Sequence, residues 1–313
     1  MTRVSTLNTY DSALLDLQRA QARQLKAQTQ LSSEKKADDL SGYGRESETL
    51  VAFQSMTSRL RGFVQTGESL QARLTTQDLA LGRLADSVQR ARQSIANAVA
   101  AGRSDTLMIE LQGQLTDAIE ALNAKHQGKQ LFAGARVDTP PVLVGRLSDL
   151  TDPAFGPWFQ NDQLKQVSRL DEATSVETGM LADALGQRAF EAFQQVQAFH
   201  ESLDGLGQPN ALNGGALTAD QETFLRGVLD DFDAAYEGIT NENARNGALQ
   251  NRTTATLEGH EAQMIGLNTL IQGKTGVDMA EAITRLQQAQ LAVQASAQVL
   301  AQLRGISLLD YLR

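Results

Sequence analysis

Three short runs carry residue types that do chemistry in other proteins. His260-Glu-Ala-Gln-Met264 begins like the His-Glu-x-x-His pair that holds a catalytic zinc on one helix face. Met264 stands where the second histidine must be, so two imidazoles cannot meet there, and His260 reads as a helix-surface residue. Gly273-Lys-Thr275 ends like a phosphate-cradling loop, but Asn268 occupies the position of the glycine required five residues earlier, and no strand precedes it. It reads as a helix-terminating glycine in a turn. Asp230-Asp-Phe-Asp233 lacks the Asp-x-Asp-x-Asp-Gly order of a calcium loop and reads as a solvated face. His126, His200 and His260 lie in separate segments, and the absence of cysteine excludes disulfides, thiolate nucleophiles and cysteine zinc sites. No catalytic, cofactor or metal site is expected.

The elements around these runs are built for packing. Leu60, Gly67, Leu74, Leu81, Val88 and Ile95 recur every seven residues, and Phe63, Leu70, Leu84, Ala91 and Ala98 fill the second seam position, with Gln77 as the polar interruption. An a/d pattern sustained this long predicts a helix over about 45–101 packed lengthwise against others. Leu60, Phe63, Leu70, Leu74, Leu81, Leu84, Val88 and Ile95 are its expected core seam. Gly102 should end it, and Ser104-Asp105 can cap a second helix over about 105–127. A shorter helix at about 4–31 carries Leu7, Tyr10, Leu14 and Leu17 at helical spacing, before its seam turns to Gln21, Gln24 and Gln28. The polar stretch from Ser32 to Gly44 reads as a loop.

Pro140, Pro141, Pro153 and Pro157 cluster in the interval 131–217 and Pro209 closes it, so the flanks are free of the one residue that cannot continue a helix. Brief strands are expected near 142–144 and 165–170, with a helix at about 187–203. Helix resumes after Thr218 and stops at a loop over 272–278. The last helix, from about 278, has Met279, Ile283, Leu286, Val293, Leu300 and Leu303 along an approximate seam, and no charged residue from Leu286 to Leu303. A soluble surface helix normally carries charges opposite its apolar stripe. Glutamine in their place suits a helix surrounded by copies of itself. An interfacial membrane helix is the alternative, but it wants a basic polar face that is missing here. No stretch is long and apolar enough to span a bilayer, and the N-terminus lacks the apolar core of a secretory signal. The net charge of −9 argues against nucleic acid.

The expected fold is therefore mainly α: an elongated bundle of long heptad-patterned helices from both chain ends, with a small irregular, β-containing middle domain. The expected division is an N-terminal assembly helix over 1–31, a loop over 32–44, body halves over 45–130 and 218–272, an outward-facing middle over 131–217, and a C-terminal assembly helix over 278–313. The two terminal helices should be poorly ordered until neighbours bury their stripes.

Several segments resemble the bacterial flagellin superfamily. Leu31-Ser-Ser-Glu-Lys-Lys-Ala-Asp-Asp-Leu40 is similar to the family's segment joining its first two helices, with Glu34 where glycine is frequent and Leu40 where proline is usual. Ser87-Val-Gln-Arg-Ala-Arg92, with Ala100-Ala-Gly102 after it, resembles the end of the family's long helix. Gln130-Leu-Phe-Ala-Gly134 and Thr139-Pro-Pro141 resemble its Leu-Phe-Ala-Gly…Thr-Pro-Pro stretch. Ala244-Arg-Asn-Gly-Ala-Leu-Gln-Asn-Arg252, Asp278-Met-Ala-Glu-Ala-Ile283 and Ile306-Ser-Leu-Leu-Asp-Tyr-Leu312 are similar to its carboxy-terminal run. The resemblance covers roughly 1–142 and 235–313, and the hook-associated protein 3 type is the nearest pattern, with a short filament flagellin as the alternative. It implies a non-catalytic structural subunit of the flagellum, extracellular, exported through the flagellar type III apparatus with a chaperone and without a cleavable signal. The implied partners are copies of itself and neighbouring hook-associated protein and flagellin subunits. A cytosolic helical scaffold is the reading of another class.

Overall fold

In the computed structural model the backbone of residues 2–311 and the side chains of residues 9–303 are described. The order is α1 (Thr2–Ser33), a 3₁₀ turn (Leu40–Glu46), α2 (Ser47–Ala101), α3 (Leu107–Leu122), β1 (Lys125–His126), β2 (Lys129–Gln130), a second 3₁₀ turn (Leu147–Leu150), β3 (Val167–Arg169), β4 (Ser175–Glu177), α4 (Ala182–Glu201), α5 (Ala219–Thr275) and α6 (Met279–Tyr311). The residues fall into two units, Met1–Leu60 with Ala262–Arg313, and Arg61–Glu261.

The Arg61–Glu261 unit is built on the long heptad. Leu81, Leu84, Val88, Ala91 and Ile95 of α2 are buried with Leu111, Leu115 and Leu122 of α3, Phe190 and Phe193 of α4, and Phe232 of α5. α2 stops at Gly102, whose φ of +64° only glycine adopts cheaply. The N–H of Gly102 donates to Val99 O and that of Arg103 to Ala98 O, the paired closure that satisfies a helix's last carbonyls. Further along α2, Gly67 makes room for α5: a Cβ there would lie 2.6 Å from Leu257 Cδ2. Gln77 is fully buried, and its side-chain amide donates to Thr178 O, so the polar break in the heptad anchors the segment leading into α4. Leu70 and Leu74 close a smaller cluster with Leu170 and Val176.

Several expectations need correction. Within the interval 131–217, Val142, Val144, Leu147 and Leu150 are buried in the same core as the helices. Polar side chains of α3 and of its C-cap residue fasten the interval there. The Asn123 amide donates to Val142 O and accepts from Val142 N, both at 3.0 Å, as a strand neighbour would. Gln112 accepts from Leu147 N. Of the expected strands, 165–170 contains β3, paired antiparallel with β4 through Ser168 and Val176, while Val142 makes only a single bridge to Phe159. The β1–β2 hairpin was not anticipated. Its two-residue turn is Gln127-Gly128, both at positive φ, the turn whose twist matches paired strands. The expected helix at 187–203 starts earlier, at Ala182, and the expected loop at 272–278 is mostly helix, with α5 continuing to Thr275. His260 is 5% exposed rather than on the surface. Its Nε2 lies 2.9 Å from Leu170 O and its ring stacks on Phe63.

Candidate assembly surface

In the other unit, backbone pairing sets the directions of α1 and α6. Lys36 N donates to Thr275 O at 2.8 Å and Val277 N to Glu34 O at 3.0 Å, around an antiparallel bridge between Lys35 and Gly276. The end of α1 is thereby held beside the start of α6, so the two helices run antiparallel. Lys274 spans from α5 to Glu46, at 2.9 Å, and this hydrogen bond and charge hold the Glu46 carboxyl below its ordinary pKa. Asp39 accepts from Ser41 and Gly42, which lowers its pKa in the same way and caps the 3₁₀ turn. Asp278 caps α6 by accepting from the N–H groups of Ala280 and Glu281.

Along the paired helices the burial repeats with a heptad. Ala20 and Ala27 of α1 and Ala282 and Ala289 of α6 are buried. Tyr10, Ala13, Leu17, Gln24 and Leu31 on one side, and Leu286, Val293, Ser296, Leu300 and Leu303 on the other, are half-buried. Residues at spacings of three and four form one seam on each helix, and alanines let the axes approach closely. The ten residues expected at an interface with neighbours therefore separate. Tyr10, Leu17, Leu286, Val293, Leu300 and Leu303 lie on this seam within one chain. Leu14, Met279 and Ile283 are exposed, and the side chain of Leu7 lies outside the described residues. The sequence reading missed the alanines, whose seven-residue spacing was the signal for the intramolecular seam.

The faces turned away from the seam remain unsatisfied. On α6, Gln287, Gln288, Gln290, Leu291, Gln294, Gln298 and Val299 are exposed, with no charge among the exposed residues from 287 to 302. On α1, Leu14, Leu15 and Leu25 are exposed. Of the predicted body seam, Leu60, Leu70, Leu74, Leu81, Leu84, Val88 and Ile95 are buried and Phe63 is half-buried. Among the described residues no group of His, Cys, Asp and Glu is placed to hold a metal, and no helix is long and apolar enough to cross a membrane.

Residues 229–312, which span most of α5 and all of α6, match the family described as the bacterial flagellin C-terminal helical region. These residues are a flagellin-like carboxy-terminal region. The chain is 25% identical to a flagellin of Bacillus subtilis (strain 168) over 312 residues, covering 96% of this chain and 94% of that protein. Its fold is shared with FlgL of Bacillus cereus, at a TM-score of 0.53 and 15% identity, over 71% of this chain and 98% of that one. A candidate flagellar hook-associated protein from Vibrio parahaemolyticus gives a TM-score of 0.59 at 14% identity, over 75% and 98%. Flagellin and hook-associated protein families are structural and catalyse no reaction.

Proposed function

We propose that the chain is the junction subunit on the filament side of the hook, held in the flagellum by the outward faces of α1 and α6. The observation that carries this reading is the uncharged outer face of α6. Once the alanine seam has consumed one stripe of each helix, Leu291, Val299 and a row of glutamines are left in water. In a monomer that arrangement forgoes both charge solvation and burial. Among copies of itself it avoids desolvating any charge. The hook-associated names of the solved structures that share the fold support the junction role over the filament role. The flagellin of Bacillus subtilis, matched nearly end to end, favours the second reading, a short filament flagellin. Export through the flagellar type III apparatus with a chaperone belongs to the same proposal. Electron microscopy of cells lacking the protein decides between the readings: bare hooks mean a junction subunit, and hooks carrying shortened or normal filaments mean a flagellin. Intact flagella, with the chain found only in cytosol, would mean neither.

A further inference from the structure

The groove where α2 passes the β1–β2 hairpin and β3 has features that folding alone does not explain. Its free volume is about 550 Å³, and its lining includes Arg73 of α2 and Lys129 of the hairpin. The rest of the lining is Gln, Ser, Thr, His126 and two leucines, with no acidic residue. Counted along the sequence, the Arg61–Glu261 unit holds 16 Lys and Arg against 27 Asp and Glu, a net −11, so an acid-free wall with two cations is unusual there. Among the described residues, neither the Arg73 guanidinium nor the exposed Lys129 ammonium has an ion-pair or hydrogen-bond partner. Arg73 is half-buried, and burial lowers its pKa, with no acidic side chain in the lining beside it.

The Thr76 side chain, whose hydroxyl lies 2.9 Å from both Ala72 O and His126 Nδ1, ties the hairpin to α2. Gln130, 4% exposed, leaves its Oε1 without a donor behind the same wall. A polar groove offering a guanidinium and an ammonium matches a carboxylate, the planar group that Arg binds in two-pronged fashion.

We infer that this groove binds a carboxylate, supplied either by an acidic side chain of a neighbouring subunit or by a free carboxylic acid. The first source rests on the structural role described above and gives the groove a purpose in assembly: copies with bodies of net −11 repel one another, and an acid seated on Arg73 and Lys129 relieves that repulsion at one contact. The second source is independent of assembly.

The full-length chain and the variants Arg73→Glu and Lys129→Glu test both sources. Isothermal titration with citrate reads the free-acid source. A Kd on the order of 1 mM or tighter, lost in Arg73→Glu, is the expected result if small acids occupy the groove. Incorporation onto isolated hooks, measured by sedimentation, reads the subunit source. Each reversal should lower it roughly ten-fold or more with an unchanged thermal melt, and Arg73→Lys should restore part of it. Absence of citrate binding together with normal incorporation of both variants overturns the inference. Failure of the unaltered chain to join hooks would count against the junction role instead, and the citrate arm would still read the groove.

Discussion

Leu150→Ala tests whether the middle of the chain shares the helical core. Leu150 is 2% exposed, sits in the cluster with Val144, Leu147, Phe190 and Phe193, and its carbonyl accepts from the Gln194 side chain of α4. Removing three buried carbons loses transfer energy and leaves a cavity, at a cost of about 2–5 kcal/mol. With a urea dependence near 3 kcal/mol per molar for a unit of this size, the unfolding midpoint should fall by about 1 M. Leu143→Ala, at a side chain 48% exposed two positions from Pro141, should stay within about 0.5 kcal/mol of the parent. Two probes separate the alternatives. Far-UV circular dichroism reports the helices, and the fluorescence of Trp158, the only tryptophan, reports the middle, since its ring lies 6.4 Å from that of Phe190. Both transitions should move together in Leu150→Ala. If only the fluorescence transition moves and the helical one stays in place, 131–217 folds independently and the shared core is wrong.

Glycines on α2 should respond oppositely to alanine. Gly82, with open space where its Cβ would be, should gain about 1 kcal/mol in Gly82→Ala, whereas in Gly67→Ala the clash with Leu257 should cancel or reverse that gain, and equal melting shifts in the two variants would contradict the close approach. Asp162 accepts from the N–H groups of Ala135 and Leu164, which hold its carboxyl below the usual range. A depressed folded-state pKa means that its contribution is present above the unfolded value near 4 and is lost as pH falls through the folded one. Asp162→Ala should therefore narrow the stability gap to the parent progressively below about pH 4, and a gap independent of pH across acid melts would refute that role.

Much of this fold is legible in the sequence, and the reasons differ by segment. The α2 seam is readable because seven-residue spacing of Leu, Val and Ile leaves few packings open, and Gly102 marks its end by chirality alone. Asp278 likewise announces α6. The role of 131–217 is hidden because proline and glycine mark turns but do not say what the turns pack against. Its attachment runs through Asn123 and Gln112, whose amides pair with backbone 19 and 35 residues away. The burial of His260 is hidden because a lone histidine on a polar helix carries no sign of the Leu170 carbonyl it meets across 90 residues. The assembly face was half-read. Large apolar residues drew attention to Leu286 and Val293, while Ala20, Ala27, Ala282 and Ala289, too small to stand out, decide which stripe pairs inside the chain and which is left for neighbours.

The most direct test of assembly through the outer faces is Leu291→Lys, examined by immuno-electron microscopy of flagella from cells that carry no other copy. Leu291 is 65% exposed and off the alanine seam, so the purified variant should melt within about 0.5 kcal/mol of the parent. In the flagellum the lysine charge would be desolvated among uncharged helices at a cost of several kcal/mol, and the chain should be absent from the structure. Normal incorporation of Leu291→Lys, or a melt lowered as far as that of Leu150→Ala, would contradict the account.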